Sequence, residues 1–260
     1  MYRIFSWVMI LCISTGCNLS SLEDTVVVPD VDDEFYLDLW EVLSPQGRFL
    51  EFRLRTIANE SCLNATINHT FQQTNRELSI SINEIIREEG CEAGEAPATA
   101  SMRTYSPLPG GYFPLFVDLR KKISSDGQLV VTSEAYNISL DDGGGVILLR
   151  PELLRIPDET IWGYIAFEDG ALDAVAEEFV ARLQSISKIH SLREGYYGYF
   201  LVNSNGALKF SNDIAPAGSR TFTYRYDGEK EALLDLLEEY RSNYGEALNI
   251  KIFNTLGEEL

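Results

Sequence analysis

The sequence predicts two domains: an immunoglobulin-like, all-β sandwich over residues 34–150, followed by an α+β domain of ferredoxin-like order, βαββαβ, over residues 156–260. Two observations support this. Between Phe35 and Leu149, apolar and polar residues alternate in short runs separated by turn-forming residues, which is typical of antiparallel strands. Beyond Pro157, two stretches have apolar residues three and four positions apart, which is typical of amphipathic helices. With 45% apolar residues, the chain has enough hydrophobic material for two cores.

The first sixteen residues have the pattern of an export signal. Arg3 supplies a positive charge, and Ile4 to Ile13 form a nearly unbroken apolar run. A run of about ten residues is too short to span a membrane, which takes about 20, but it suits the core of a signal peptide. The small residues Ser14–Gly16 follow and then Cys17. We therefore predict a removable signal over residues 1–16.

The stretch Ile13-Ser14-Thr15-Gly16-Cys17 resembles the lipobox of bacterial lipoproteins, although Ser14 occupies a position that is usually leucine. The resemblance implies that Cys17 is diacylated and becomes the new N-terminus, with residues 17–33 as a lipidated tether. Asn18 in place of aspartate implies delivery to the outer membrane. Glu23 and Asp24 resemble the surface-export signals of Bacteroidota lipoproteins. The alternatives are an ordinary signal peptide and a retained N-terminal helix.

The four cysteines divide into three groups. Cys12 leaves with the signal, Cys17 carries lipid, and Cys62 and Cys91 remain. An even pair in an exported chain predicts one disulfide. A zinc site is the competing interpretation, but it would need more ligands than the two histidines of the mature chain provide. We therefore expect no metal and no cofactor.

Successive alternating runs define the strands of the first domain. Residues 35–40 and 50–55 flank the turn at residues 44–47, which predicts a hairpin. A second hairpin is predicted from residues 63–71 and 78–82. Further strands are expected up to residue 105 and over residues 113–119, 129–131, 136–140 and 146–149. A series of short strands with few helical stretches is typical of a β-sandwich.

The second domain alternates between the two periods. A strand is predicted over residues 161–167, and Asp169 can cap the helix that follows it. Residues 196–202 and 222–226 predict two more strands. A second helix begins after Asp227 and ends at Gly245, and residues 248–253 form the last strand. The resulting order is that of the split βαβ fold.

Aromatic residues at alternating strand positions of this domain form a candidate binding surface. Such residues stack on sugars and are favoured at protein interfaces. The alternative is that they pack against the first domain or against the loop at residues 203–220. The candidates are Trp162, Tyr164, Tyr197, Tyr199, Tyr224 and Tyr226.

Charge and motifs restrict the function. A formal net charge of −19 disfavours nucleic-acid binding, which depends on cations meeting phosphates. The sequence contains no nucleophile elbow, phosphate-binding glycine loop or zinc-protease motif, so we do not expect an enzyme. We expect a non-catalytic envelope or surface lipoprotein that binds a protein or glycan partner. A structural or assembly component of an outer-membrane complex is the alternative, ahead of a hydrolase.

Overall fold

The computed structural model describes residues 34–87, 90–142, 144–210 and 214–260, and all of them belong to one compact unit. Strands account for 47% of the described residues and helices for 15%, so this part of the chain is mostly β. The signal peptide, Cys17 and the tether lie outside the described residues.

One large, curled sheet contains the first ten strands. These are β1 (Phe35–Ser44), β2 (Gly47–Thr56), β3 (Thr66–Gln73), β4 (Leu78–Ile86), β5 (Thr99–Arg103), β6 (Gly111–Leu119), β7 (Ile123–Val131), β8 (Ala135–Leu140), β9 (Val146–Leu148) and β10 (Glu152–Leu154). Their spatial order is β10-β8-β7-β6-β4-β3-β5-β2-β1-β9. The sheet curls so that β10, at one end, contacts β1 near the other end.

The alternating pattern fixes which face of the sheet is buried. In β1, Phe35, Leu37 and Leu39 are buried, whereas the intervening Tyr36 and Asp38 are only half-buried. Successive side chains of a strand point to opposite faces, so the odd-numbered positions of β1 fill the core of the curled sheet. The even-numbered positions of β1 lie on the outer face of the sheet.

The predicted hairpin of β1 and β2 is confirmed, with pairing from Phe35↔Thr56 to Ser44↔Gly47. The finer prediction of an immunoglobulin-like sandwich is not confirmed, because the described strands form one continuous ladder instead of two separate sheets. Parallel pairing of β4 with β6, and of β3 with β5, connects segments that a sandwich would place in different sheets.

The second half contains two smaller sheets and two helices. Its elements are β11 (Thr160–Ala166), α1 (Asp173–Ser185), β12 (Gly195–Tyr196), β13 (Phe200–Val202), β14 (Leu208–Phe210), β15 (Arg220–Arg225), α2 (Lys230–Tyr244) and β16 (Asn249–Asn254), with short 3₁₀ turns at Gly170–Leu172 and Gly245–Ala247. One sheet has the order β15-β11-β16. The other, β12-β13-β14, is a three-stranded antiparallel meander.

Both helices pack on one face of the β15-β11-β16 sheet. Phe179 and Leu183 of α1 and Leu237 of α2 share a core with Ile161 and Ile165 of β11. The apolar positions spaced by three and four, which predicted the helices, are therefore the positions that contact the sheet.

The predicted ferredoxin-like sheet is not confirmed, because its second strand belongs to the meander instead. The sequence predicted one strand over residues 196–202. Gly198 interrupts it with φ of +81°, a left-handed conformation that glycine adopts readily, and the chain divides into β12 and β13. The meander covers the face of β11 opposite the helices, where Trp162 and Tyr164 pack with Phe200 and Phe210.

Cys62 and Cys91 form a disulfide across a sequence separation of 29 residues. It joins the segment before β3 to the loop after β4. Closing a loop of this length stabilises the fold by roughly 3–4 kcal/mol on the chain-entropy model.

Candidate functional site

The six aromatic residues predicted as a binding surface are divided between two cores. Trp162 and Tyr164 of β11 are buried beneath the meander. Tyr197, between β12 and β13, is buried in the same core, and Tyr199 packs against it. Tyr226 is buried on the helix-covered face, and Tyr224 packs there as well. Because β11 exposes neither face, these residues do not form an open platform. Tyr199 contacts Trp40 of the large sheet and Tyr164 contacts Phe210 of the loop at residues 203–220, the two neighbours that the alternative named, whereas Tyr224 and Tyr226 pack with the helices.

A groove lies on the outer face of the large sheet instead. Its floor is formed by β1, β2 and β5, and its wall by the meander and the segment after β9. We call this feature the basic groove; its volume is about 960 Å³. The charged and aromatic residues that line it are Asp38, Trp40, Glu51, Arg53, Arg55, Arg150, Tyr196, Phe200, Lys209 and Phe210.

Strand register places the floor residues in rows. Asp38 on β1 pairs with Arg53 on β2, which pairs with Ser101 on β5. Arg55, two positions along β2, pairs with Thr99 of β5. Cross-strand partners on one face are neighbours about 5 Å apart, so the guanidinium and hydroxyl groups converge on one floor.

Each arginine that lines the groove stacks on an aromatic ring. The Arg53 guanidinium lies 3.8 Å from the centroid of Trp40, Arg150 lies 3.9 Å from that of Tyr196, and Arg55 lies 5.0 Å from that of Tyr36. Such cation–π contacts hold the guanidinium planes in place while their N–H edges stay available.

Two carboxylates balance part of this positive charge. Arg53 Nε donates to Glu51 Oε1 at 2.6 Å, and Arg150 donates to Asp38 Oδ2. The other Asp38 oxygen, Oδ1, is buried and has no hydrogen-bond partner among the described residues. The carboxylates lie deep, with side-chain exposures of 15% for Asp38 and 18% for Glu51, whereas Arg53 and Arg150 are 43% and 42% exposed. Cations therefore dominate the accessible surface.

Burial raises the pKa of the Tyr196 phenol, and the nearby Asp38 carboxylate raises it further. Burial also raises the pKa of Tyr199. Both hydroxyls therefore remain protonated at neutral pH and can donate hydrogen bonds. Tyr199 also supports the wall, because its ring contacts Trp40 at 4.8 Å and Trp162 at 5.4 Å between centroids.

The chain was compared with known proteins by sequence and by structure. A scan against family models and searches of curated proteins and solved structures found no match for this chain. The site must therefore be interpreted from its own chemistry.

His69 and His190 lie outside the basic groove. His69 Nδ1 lies 2.9 Å from the Ile67 carbonyl oxygen on β3, and His190 is half-buried after α1. Within the described ranges, no cluster of three or more histidine, cysteine, aspartate or glutamate side chains could hold a metal. None of the helices that the structure describes is long and apolar enough to cross a membrane.

Sequence reasoning missed the basic groove. The available signal was the outward alternation of Arg53 and Arg55 in β2, opposite Asp38 and Tyr36 of β1, which marks an arginine-rich strand face beside aromatic residues.

Proposed function

We propose that the protein is a non-catalytic envelope lipoprotein that binds a protein or glycan partner in the basic groove. The groove is the observation that supports this proposal: a concave, partly aromatic surface with exposed guanidinium groups is suited to holding a ligand. The lipobox-like sequence at Cys17 supports anchoring in the outer membrane.

The chemistry of the groove favours binding over catalysis. Its lining, as far as the structure describes it, includes no histidine or cysteine. Each of its two carboxylates accepts a hydrogen bond from an arginine, an arrangement that orients charge for recognition. We therefore propose that the ligand leaves the groove chemically unchanged.

Filling the groove tests this function. Ser101 is exposed on β5 at the floor, so Ser101→Trp adds bulk without entering the core. Ser124 is exposed on β7, outside the groove lining, so Ser124→Trp is the matched control. Glycan arrays and detergent-solubilised envelope fractions should yield a partner that the wild type and Ser124→Trp retain and that Ser101→Trp loses. Mass spectrometry should recover that partner intact.

Two results would contradict the proposal. A partner retained equally by Ser101→Trp would place binding outside the groove and favour an assembly role. Turnover of the recovered ligand would show that the protein is an enzyme.

A further inference from the structure

The charge of the basic groove differs from that of the rest of the protein. Four cationic side chains and two carboxylates line it, whereas the chain as a whole carries 40 acidic and 21 basic residues. In the groove, Glu51 pairs with Arg53 and Asp38 pairs with Arg150. Among the described residues, neither of these carboxylates lies within ion-pair distance of Arg55 or Lys209. Charge complementarity therefore favours an anionic ligand.

The groove also contains hydrogen-bond acceptors. Asp38 and Glu51 line the groove with side chains that are 15% and 18% exposed, so part of each carboxylate is open to a ligand. Ser101 and Thr99 add hydroxyl groups along β5. A ligand that matches this floor carries anionic groups for the arginines and hydroxyl groups for the carboxylate and hydroxyl oxygens.

The backbone of the floor disfavours a peptide bound as an added strand. β2 lies between β1 and β5, β1 lies between β2 and β9, and β5 lies between β2 and β3. β2, which carries Glu51, Arg53 and Arg55, is paired on both edges along this stretch, so a ligand that lies over its arginines finds no free edge there for β-strand addition. Recognition must depend on side chains, which suits a sugar with many hydroxyl groups.

From these observations we infer that the ligand of the basic groove is an acidic oligosaccharide, with carboxylate or sulfate groups on its rings. The inference rests on the proposed function and adds the chemical class of the ligand. The guanidinium edges bind the anionic groups, the hydroxyls of Thr99 and Ser101 bond to ring hydroxyls, and the stacked arginine planes offer weakly hydrated flat surfaces. Because the remaining surface is strongly acidic, the bound portion is short.

Four probes of equal length test the class of ligand by isothermal titration calorimetry with the mature protein. They are a neutral cellohexaose, a hexagalacturonate, a sulfated cellohexaose and a hexaglutamate peptide. We expect one or both acidic sugars to bind and the neutral sugar not to bind. The carboxylate and sulfate arms identify which anionic group is preferred.

Two double variants test the contacts. Arg55→Gln with Lys209→Gln removes two exposed groove cations, and we expect it to weaken binding of the acidic sugar by about tenfold or more. Arg76→Gln with Lys122→Gln removes two exposed cations elsewhere and should leave the affinity unchanged. Both pairs lie on the surface, so circular dichroism should show folded proteins.

The failures are distinguishable. Preference for the neutral sugar or for hexaglutamate, lost in Ser101→Trp, would overturn the acidic-sugar inference and leave groove binding intact. Equal weakening in both double variants, or no binding of either acidic sugar, would also overturn it. Only a partner indifferent to Ser101→Trp would overturn the proposed function itself.

Discussion

The guanidinium carbon of Arg53 lies 3.8 Å from the centroid of the Trp40 ring. Trp40 also contacts Tyr199 of the meander, and Gly198 lies close to the same indole. One tryptophan thus connects the floor of the basic groove to its wall. We infer that Trp40 positions Arg53 for ligand binding.

Replacing Trp40 should affect both stability and binding. Trp40→Ala should lower the free energy of unfolding by about 2 kcal/mol, below the range for a fully buried tryptophan because the side chain is half-buried. It should also weaken ligand binding, because Arg53 loses its stacking partner. Trp40→Phe keeps a ring at this position and should retain most of both properties. Denaturant unfolding and calorimetry measure the two effects; full affinity in Trp40→Ala would contradict the positioning role.

The buried carboxylate of Glu41 stabilises the junction between the large sheet and the segment before β11. Arg48 Nη1 and Arg155 Nε each lie 3.1 Å from one of its oxygens, and the Tyr136 hydroxyl donates to it at 3.0 Å. Burial, and then the Glu41 charge, raise the pKa of Tyr136.

Removing this carboxylate leaves Arg155 without its carboxylate partner and Arg48 with Asp158 alone. Glu41→Ala should therefore lower the free energy of unfolding by about 3–5 kcal/mol. Tyr136→Phe removes one hydrogen bond from the same cluster and should cost about 1 kcal/mol. Urea unfolding measures both values. Equal costs for the two variants would show that the ion pairs contribute little.

His190 should make stability depend on pH. Burial, and then the charge of Arg225, lower its pKa from the ordinary value of about 6.5. The unfolded chain therefore takes up the proton first, and stability falls as the pH drops below about 6.5 toward the folded-state pKa. Above that pH both states are neutral and the effect vanishes. His190→Gln should lose less stability than the wild type between about pH 7.5 and pH 5, and an identical slope would contradict the shift.

Cys17 should be the site of membrane attachment. Cys17→Ser should stop labelling by fatty-acid analogues and release the protein from membrane fractions, because the acyl chains supply the anchor. Cys12→Ser alters a cysteine within the signal and should leave labelling intact. Unchanged membrane association of Cys17→Ser would contradict the lipoprotein prediction.

Local patterns were sufficient to predict individual elements. The alternation from Phe35 to Arg55 around the turn at residues 44–47 predicted the β1–β2 hairpin. The helical spacing of Phe179 and Leu183 predicted the face of α1 that packs. Both patterns depend on neighbours that are close in sequence, so the signal lies within one element.

Sheet membership was harder to predict. β1 pairs with β9, more than 100 residues away, and no local pattern specifies that partner. The interruption at Gly198 is likewise visible only as one glycine among aromatic residues. The order of strands in the large sheet and the separate meander therefore could not be predicted from local patterns.

The basic groove depends on both kinds of information. Alternation places Arg53 and Arg55 on the outer face of β2, but it does not show that Tyr196 and Lys209 form a wall above them. The regular alternation of the aromatic residues of β11 predicted a binding surface, yet both faces of that strand are covered.

The most direct test of groove binding is the affinity of Ser101→Trp for the acidic oligosaccharide, measured beside the wild type and Ser124→Trp. With all three proteins equally folded, we expect Ser101→Trp to lose at least about tenfold in affinity, because its indole occupies the floor beside Arg53. Ser124→Trp should match the wild type. Equal affinities for all three proteins would contradict the claim that the ligand binds in the basic groove.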